Sequence, residues 1–169
     1  PEFWKKINPA IKKTGVFVDE AHKTIKEKIE TFNLQALQLH GNETPEEAQY
    51  WKNAHLEVIK AVKIDQNFKF RDLEPYEGKI DWFLFDTTGP QPGGNGTSFD
   101  WQILRNYHLK VPFFLSGGID KNMVLTIKTL LKDLRNPYFK GLDINSKFEI
   151  ASGLKEINQI QEFKRSVDL

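Results

Sequence analysis

Cysteine is absent from the 169 residues of this sequence. That excludes a disulfide-braced scaffold, a thiolate metal site and a cysteine nucleophile within these residues. Long apolar runs are absent too: none approaches the roughly 20 residues that a membrane-spanning helix requires. Neither sign of charge is in excess, because 24 lysines and arginines against 23 aspartates and glutamates leave a formal net charge of +1. A surface built to hold nucleic acid carries a basic bias, so neither a nucleic acid nor a membrane is the expected partner. Pro1 to Lys13 is charged and aromatic with no long apolar stretch, unlike a signal peptide. The expectation is a cytoplasmic protein.

What is present points to a packed core. Hydrophobic residues at 39% and aromatic residues at 12% exclude a disordered chain, and the length suits one domain. Short apolar runs alternate with helical patterns. The runs are Thr14 to Val18, Gln35 to Leu39, Leu56 to Val62, Trp82 to Phe85, Val111 to Leu115 and, weakest, Tyr138 to Ile144. Bounded by Gly, Asp or Asn, they read as buried parallel strands. Between them, Ile25, Ile29 and Phe32 repeat at helical spacing, and Val124, Ile127, Leu130, Leu131 and Leu134 make one apolar face. Thr44-Pro45-Glu46-Glu47 has the form of a capping box with proline at the first helical position. Phe68, Phe70 and Leu73 suggest one short helix, and Ile157, Ile160 and Phe163 a last helix with Ser152 as its candidate cap. Strand–helix alternation of this kind implies an α/β domain with a mainly parallel sheet. An open doubly wound sheet and a (β/α)8 barrel compete. Six visible strands suit the former by count, since a barrel needs eight and usually at least about 200 residues.

Polar residues and glycines gather just after the strands, where both architectures place their sites. Gly117-Gly118 lies between a strand and a helix expected from about Lys121, so its freed amides suit a phosphate, with Asn145-Ser146 from the next loop adding to them. A plain tight turn is the alternative. Gly93 to Gly96 matches neither a Walker A loop nor a dinucleotide fingerprint, and reads as a substrate-side loop or an ordinary surface loop. Asp86 ends an apolar strand, where partial desolvation favours the protonated form and suits a general acid; capping the next turn is the other role for such an aspartate. His40 also ends a strand and reads as a substrate contact or a hydrogen-bonded structural residue. His22, His55 and His108 have no partner at metal-ligand spacing and read as surface residues, and Asp65, Asp72, Glu74 and Glu77 as a solvated stretch.

Taken in order, these motifs resemble those of the phosphoribosylanthranilate isomerase family. The resemblance rests on TGVFV at Thr14 to Val18, LQLHG at Leu37 to Gly41, VIKAV at Val58 to Val62 and FDTTG at Phe85 to Gly89. It continues through GGNGTSFDW at Gly93 to Trp101, LSGGI at Leu115 to Ile119, GLDINSKFE at Gly141 to Glu149 and Gly153-Leu154-Lys155. It implies a (β/α)8 TIM barrel and an Amadori rearrangement of N-(5′-phosphoribosyl)anthranilate in tryptophan biosynthesis, with no cofactor and no metal. Asp86 matches the family's general acid. Gln38, His40, Gly93, Gly94, Gly96, Thr97 and Asp143 would contact substrate, and Ser116, Gly117, Gly118, Asn145 and Ser146 would hold the phosphate. The partner would be a small phosphorylated molecule, and the chain a monomer or homodimer.

Three departures accompany the match. The family's general base, a cysteine ending strand one, is missing, as is an arginine near the end of strand two that holds the anthranilate carboxylate. Lys147 stands where many members have glycine. The resemblance therefore aligns residues 1–169 with family strands three to eight, as one barrel domain lacking about two strands. The corresponding expectation is that roughly 35 residues, one β-α-β unit, precede Pro1 in the native chain and that the 169 residues alone lack turnover. A non-catalytic sugar-phosphate-binding module and a related isomerase of histidine synthesis are the alternatives.

Overall fold

The computed structural model describes residue 8, residues 10–87 and residues 101–167. Six strands form one sheet: β1 (Thr14–Phe17), β2 (Ala36–Leu39), β3 (Glu57–Ile64), β4 (Trp82–Thr87), β5 (Phe113–Ser116) and β6 (Phe139–Leu142). They hydrogen-bond in the order β1-β2-β3-β4-β5-β6, and every neighbouring pair is parallel. Strand order thus follows chain order without the reversal that defines a doubly wound sheet. Right-handed crossovers then carry the connecting segments along a single face, as in a (β/α) barrel.

The sequence dictates the helices locally. Helix α1 (His22–Phe32) buries Ile25 and ends at Asn33, whose left-handed conformation (φ 49°) suits asparagine. Helix α2 (Pro45–Asn53) starts with the expected capping box: Thr44 Oγ1 accepts from Glu47 N (3.3 Å), and Glu47 Oε2 accepts from Thr44 N (2.7 Å). A 3-10 helix at Phe70–Tyr76 occupies the connection where one short helix was expected. Helices α3 (Val124–Leu134) and α4 (Ile157–Val167) complete the set. Ser152 does not cap α4. The residue before that helix, Glu156, supplies the acceptor for Asn158 N (3.1 Å), while Ser152 lies in the turn of a small antiparallel hairpin, β7 (Glu149–Ala151) and β8 (Leu154–Lys155). Among the described residues, no helix is long and apolar enough to cross a membrane.

Parallel register puts paired residues on the same face. One row crosses all six strands: Phe17, Leu39, Lys60, Phe83, Phe113 and Phe139. This is the face the connections cover. Phe83 and Phe85 stack there at 5.5 Å, Phe85 meets Phe70 at 5.4 Å and Tyr107 at 5.4 Å, and Tyr107 donates its buried hydroxyl to Val111 O (2.5 Å). Phe85 is fully buried at the centre of this cluster. Phe85→Ala is expected to lower unfolding stability by about 3–5 kcal/mol, read as the shift in a denaturant transition. The opposite face carries the row Val16, Gln38, Ile59, Trp82 and, at the carboxyl ends of the strands, the row Lys63, Asp86, Ser116.

Candidate active site

The carboxyl ends of the strands open into a cavity of about 590 Å³. Gln38, His40, Asp86, Ser116, Gly117, Gly118, Asp143, Asn145 and Ser146 all line it. These nine are the expected site residues that the structure describes. Gly93, Gly94, Gly96 and Thr97 lie outside the described residues. The clustering follows from the topology. Gln38 faces Val16 and Ile59 across β1 and β3, Asp86 faces Ser116 across β4 and β5, and Asp143 N donates to Leu115 O (2.8 Å), placing the end of β6 beside the end of β5.

Polar contacts tie the wall together. Ser116 Oγ donates to Asp143 Oδ2 (3.0 Å), and Gln38 Nε2 lies 3.2 Å from His40 Nδ1. Gly117 (φ 104°) and Gly118 (φ 62°) turn the chain after β5 in the left-handed region, and Asp120 caps the following short 3-10 helix by accepting from Asn122 N (2.7 Å). Two lysines, Lys147 and Lys155, also line the cavity. Lys155 donates to Asn145 Oδ1 and to Glu149 Oε1 (2.6 Å), and holds the Glu149 carboxyl below the usual range. Lys155 was missing from the sequence-derived site. Only the β7–β8 hairpin, with Gly153 at φ 77° in its turn, folds it back beside Asn145.

A second cavity of about 570 Å³ adjoins the first, and His40 lines both. Its wall includes Asp19, Gly41, Asn42 and Lys60. Gly41 is a close approach: a Cβ there would stand 2.6 Å from the backbone nitrogen of Asp19. The Glu43–Lys60 ion pair beneath it (2.9 Å) went unrecognised in the sequence, although a lysine inside the run VIKAV was a visible anomaly. Burial pushes the Glu43 carboxyl up, yet hydrogen bonds from Lys60, the Asp19 amide and its own amide outweigh this and leave it below its ordinary value. A depressed carboxyl stabilises the fold above the unfolded value of 4.5 and loses that contribution as pH falls through the folded one. Urea unfolding is therefore expected to show stability falling with acidification below that value, with a smaller fall in Glu43→Gln.

The remaining histidines lie apart from the cavity. His55 and His108 are exposed, and Glu74 beside His108 (3.1 Å) raises its pKa. His22 departs from the surface expectation: it is half-buried, its ring 4.7 Å from Tyr50 and 4.8 Å from Trp51.

Fold and site together define an enzyme of the (β/α)-barrel type with its pocket at the carboxyl ends of the strands. The sequence profile of N-(5'phosphoribosyl)anthranilate (PRA) isomerase matches residues 1–166. The N-(5'-phosphoribosyl)anthranilate isomerase of Parabacteroides distasonis is 42% identical over 156 residues, covering 92% of this chain and 69% of that protein. A crystal structure of phosphoribosyl anthranilate isomerase in complex with reduced 1-(o-carboxyphenylamino)-1-deoxyribulose 5-phosphate superposes with a TM-score of 0.71 at 25% identity, covering 99% of this chain and 76% of that one. The Thermotoga maritima enzyme gives 0.74 at 27% identity, covering 99% and 78%. The chain belongs to the phosphoribosylanthranilate isomerase family, and its function is that isomerisation in tryptophan biosynthesis.

Proposed function

We propose that the cavity at the ends of β4, β5 and β6 holds N-(5′-phosphoribosyl)anthranilate with Asp86 as the general acid of its ring opening. The observation that carries this reading is the convergence on one cavity of Asp86, the Gly117-Gly118 turn, the Asn145-Ser146 loop and two lysines, Lys147 and Lys155. The phosphate lies on the amides of Gly117 and Gly118 and on Ser146, with Lys147 and Lys155 supplying positive charge. Asp143, bonded to Ser116, orders the loop after β6. Gln38 and His40 meet the sugar and the aromatic ring from the wall formed by β2.

The chemistry runs in two stages. Asp86 gives its proton to the furanose oxygen as the C1′–O bond breaks, and the anthranilate nitrogen lone pair forms the Schiff base. Loss of the C2′ proton then returns the electron pair to nitrogen as an enolamine, which tautomerises to the 1-deoxyribulose ketone. The family resemblance gives the second proton to a cysteine. The 169 residues contain none, and what they supply is phosphate binding, orientation and the acid step. We place the enzyme in the cytoplasm, as a monomer or homodimer. Titration with the reduced carboxyphenylamino-deoxyribulose phosphate tests the site. Binding that Ser146→Ala together with Lys155→Met weakens by about 10-fold or more is the expected result. Unchanged binding in that variant would remove the phosphate from this loop.

A further inference from the structure

Glu43 and Lys60 are the buried polar residues among those described, 6% and 4% exposed. Lys60 interrupts the apolar row that runs from Phe17 through Leu39 to Phe83, Phe113 and Phe139. An ion pair placed so deep gains little stability, because desolvating two charges offsets their attraction, and an apolar pair of similar volume is often as stable. Packing therefore leaves the pair unexplained, and its hydrogen bonds supply the explanation.

Lys60 Nζ donates to Leu39 O (3.3 Å), Gly41 O (2.7 Å) and Glu43 Oε2 (2.9 Å). The two carbonyls belong to the residues immediately before and after His40. Glu43 completes the grip by accepting from Gly41 N (2.9 Å) and Asp19 N (3.0 Å). The Asp19 carboxylate in turn accepts from Asn42 N (2.5 Å) and Asn42 Nδ2 (3.0 Å), and His40 N donates to Phe17 O (2.8 Å). The backbone groups that the Glu43 and Lys60 side chains hold lie on the residues flanking His40 and just past the neighbouring end of β1, and Tyr76 Oη donates to Glu43 O (2.7 Å) from the 3-10 helix. The gap between Gly41 and Asp19 is too tight even for a Cβ, so the network locks the segment without slack.

The geometry points to the Glu43–Lys60 pair as a positioning pair that fixes His40 in the substrate pocket. It acts through the carbonyls on either side of His40, not by touching substrate. The inference rests on the proposed reading of His40 as a pocket contact. A site held to within about half an ångström loses binding when its support loosens, and supporting partners of this kind are commonly worth about 10- to 100-fold.

The test compares Glu43→Gln, the double replacement Glu43→Leu with Lys60→Met, and His40→Ala in the same chain. Three quantities are read: the thermal midpoint, the affinity for reduced 1-(o-carboxyphenylamino)-1-deoxyribulose 5-phosphate, and the His40 imidazole resonances, assigned by their loss in His40→Ala. The double variant is expected to melt near the parent, to bind the analogue about 10-fold more weakly and to shift or broaden the His40 signals. Parent-like His40 signals and affinity in a folded double variant would overturn the proposal. Should the double variant not fold, Glu43→Gln decides it: shifted His40 signals support the pair's role, and unmoved signals refute it. Unchanged affinity in His40→Ala would instead refute the pocket role of His40 and leave the positioning question to the resonances.

Discussion

Asp86→Asn is expected to slow opening of the bound furanose by about 10²- to 10⁴-fold, the range lost when a positioned general acid is removed. Asparagine keeps the shape of the side chain and its hydrogen-bonding edge but has no acidic proton to give. Affinity for the reduced product analogue should accordingly stay within about 3-fold, which separates a chemical defect from a binding one. Ring opening can be read without the second proton transfer. The Schiff base recloses on either face of C1′, so exchange between the two anomers of C1′-labelled substrate reports the acid step by itself. Anomer exchange at the parental rate in Asp86→Asn would remove the acid role from this residue. The position supports the assignment: Asp86 is half-buried at the carboxyl end of β4, in register with Ser116 on β5, and faces the cavity.

The second large effect concerns the turn after β5. Gly118 sits at φ 62°, and a Cβ there would meet nothing within 4 Å. Its need for glycine is therefore conformational and not steric. Gly118→Val should relax towards negative φ and carry its amide out of the proposed phosphate site. Strain of roughly 1–3 kcal/mol corresponds to roughly 5- to 150-fold weaker analogue binding. Asparagine visits the left-handed region far more readily, so Gly118→Asn should retain most of the affinity. Calorimetric titration of both variants makes the comparison, and equal losses in the two would show that the effect is not one of backbone conformation.

Features written into short stretches of sequence were legible. The capping box at Thr44 needs only four consecutive residues, and the strands needed only their apolar runs, although β3 runs on two residues past the apolar stretch to Ile64. The pocket was legible for the same reason: in a parallel sheet, residues just after each strand converge on one end, so Asp86, Gly117 and Asn145 could be grouped from their local settings. Relations between distant segments were hidden. Nothing local marks Glu156 in place of Ser152 at the start of α4, or folds Lys155 back on Asn145, because a hairpin of three and two residues leaves almost no periodicity. Glu43 and Lys60 stand 17 residues apart, and only the register that lays Leu39 beside Lys60 reveals what the lysine does. The choice between an open doubly wound sheet and a barrel likewise turned on strand order, which no single strand encodes.

The central claim is that one pocket holds the phosphate on the loops after β5 and β6 while Asp86 faces the sugar oxygen that leaves C1′. A crystal structure of this chain with reduced 1-(o-carboxyphenylamino)-1-deoxyribulose 5-phosphate tests it most directly. The account predicts the phosphate within hydrogen-bonding distance of the Gly117 and Gly118 amides and of Ser146. It also predicts the Asp86 carboxyl against the C4 hydroxyl, the former ring oxygen of the furanose. A phosphate seated in the second cavity beside Lys60 and Asp19, or an Asp86 carboxyl out of reach of that hydroxyl, would contradict it.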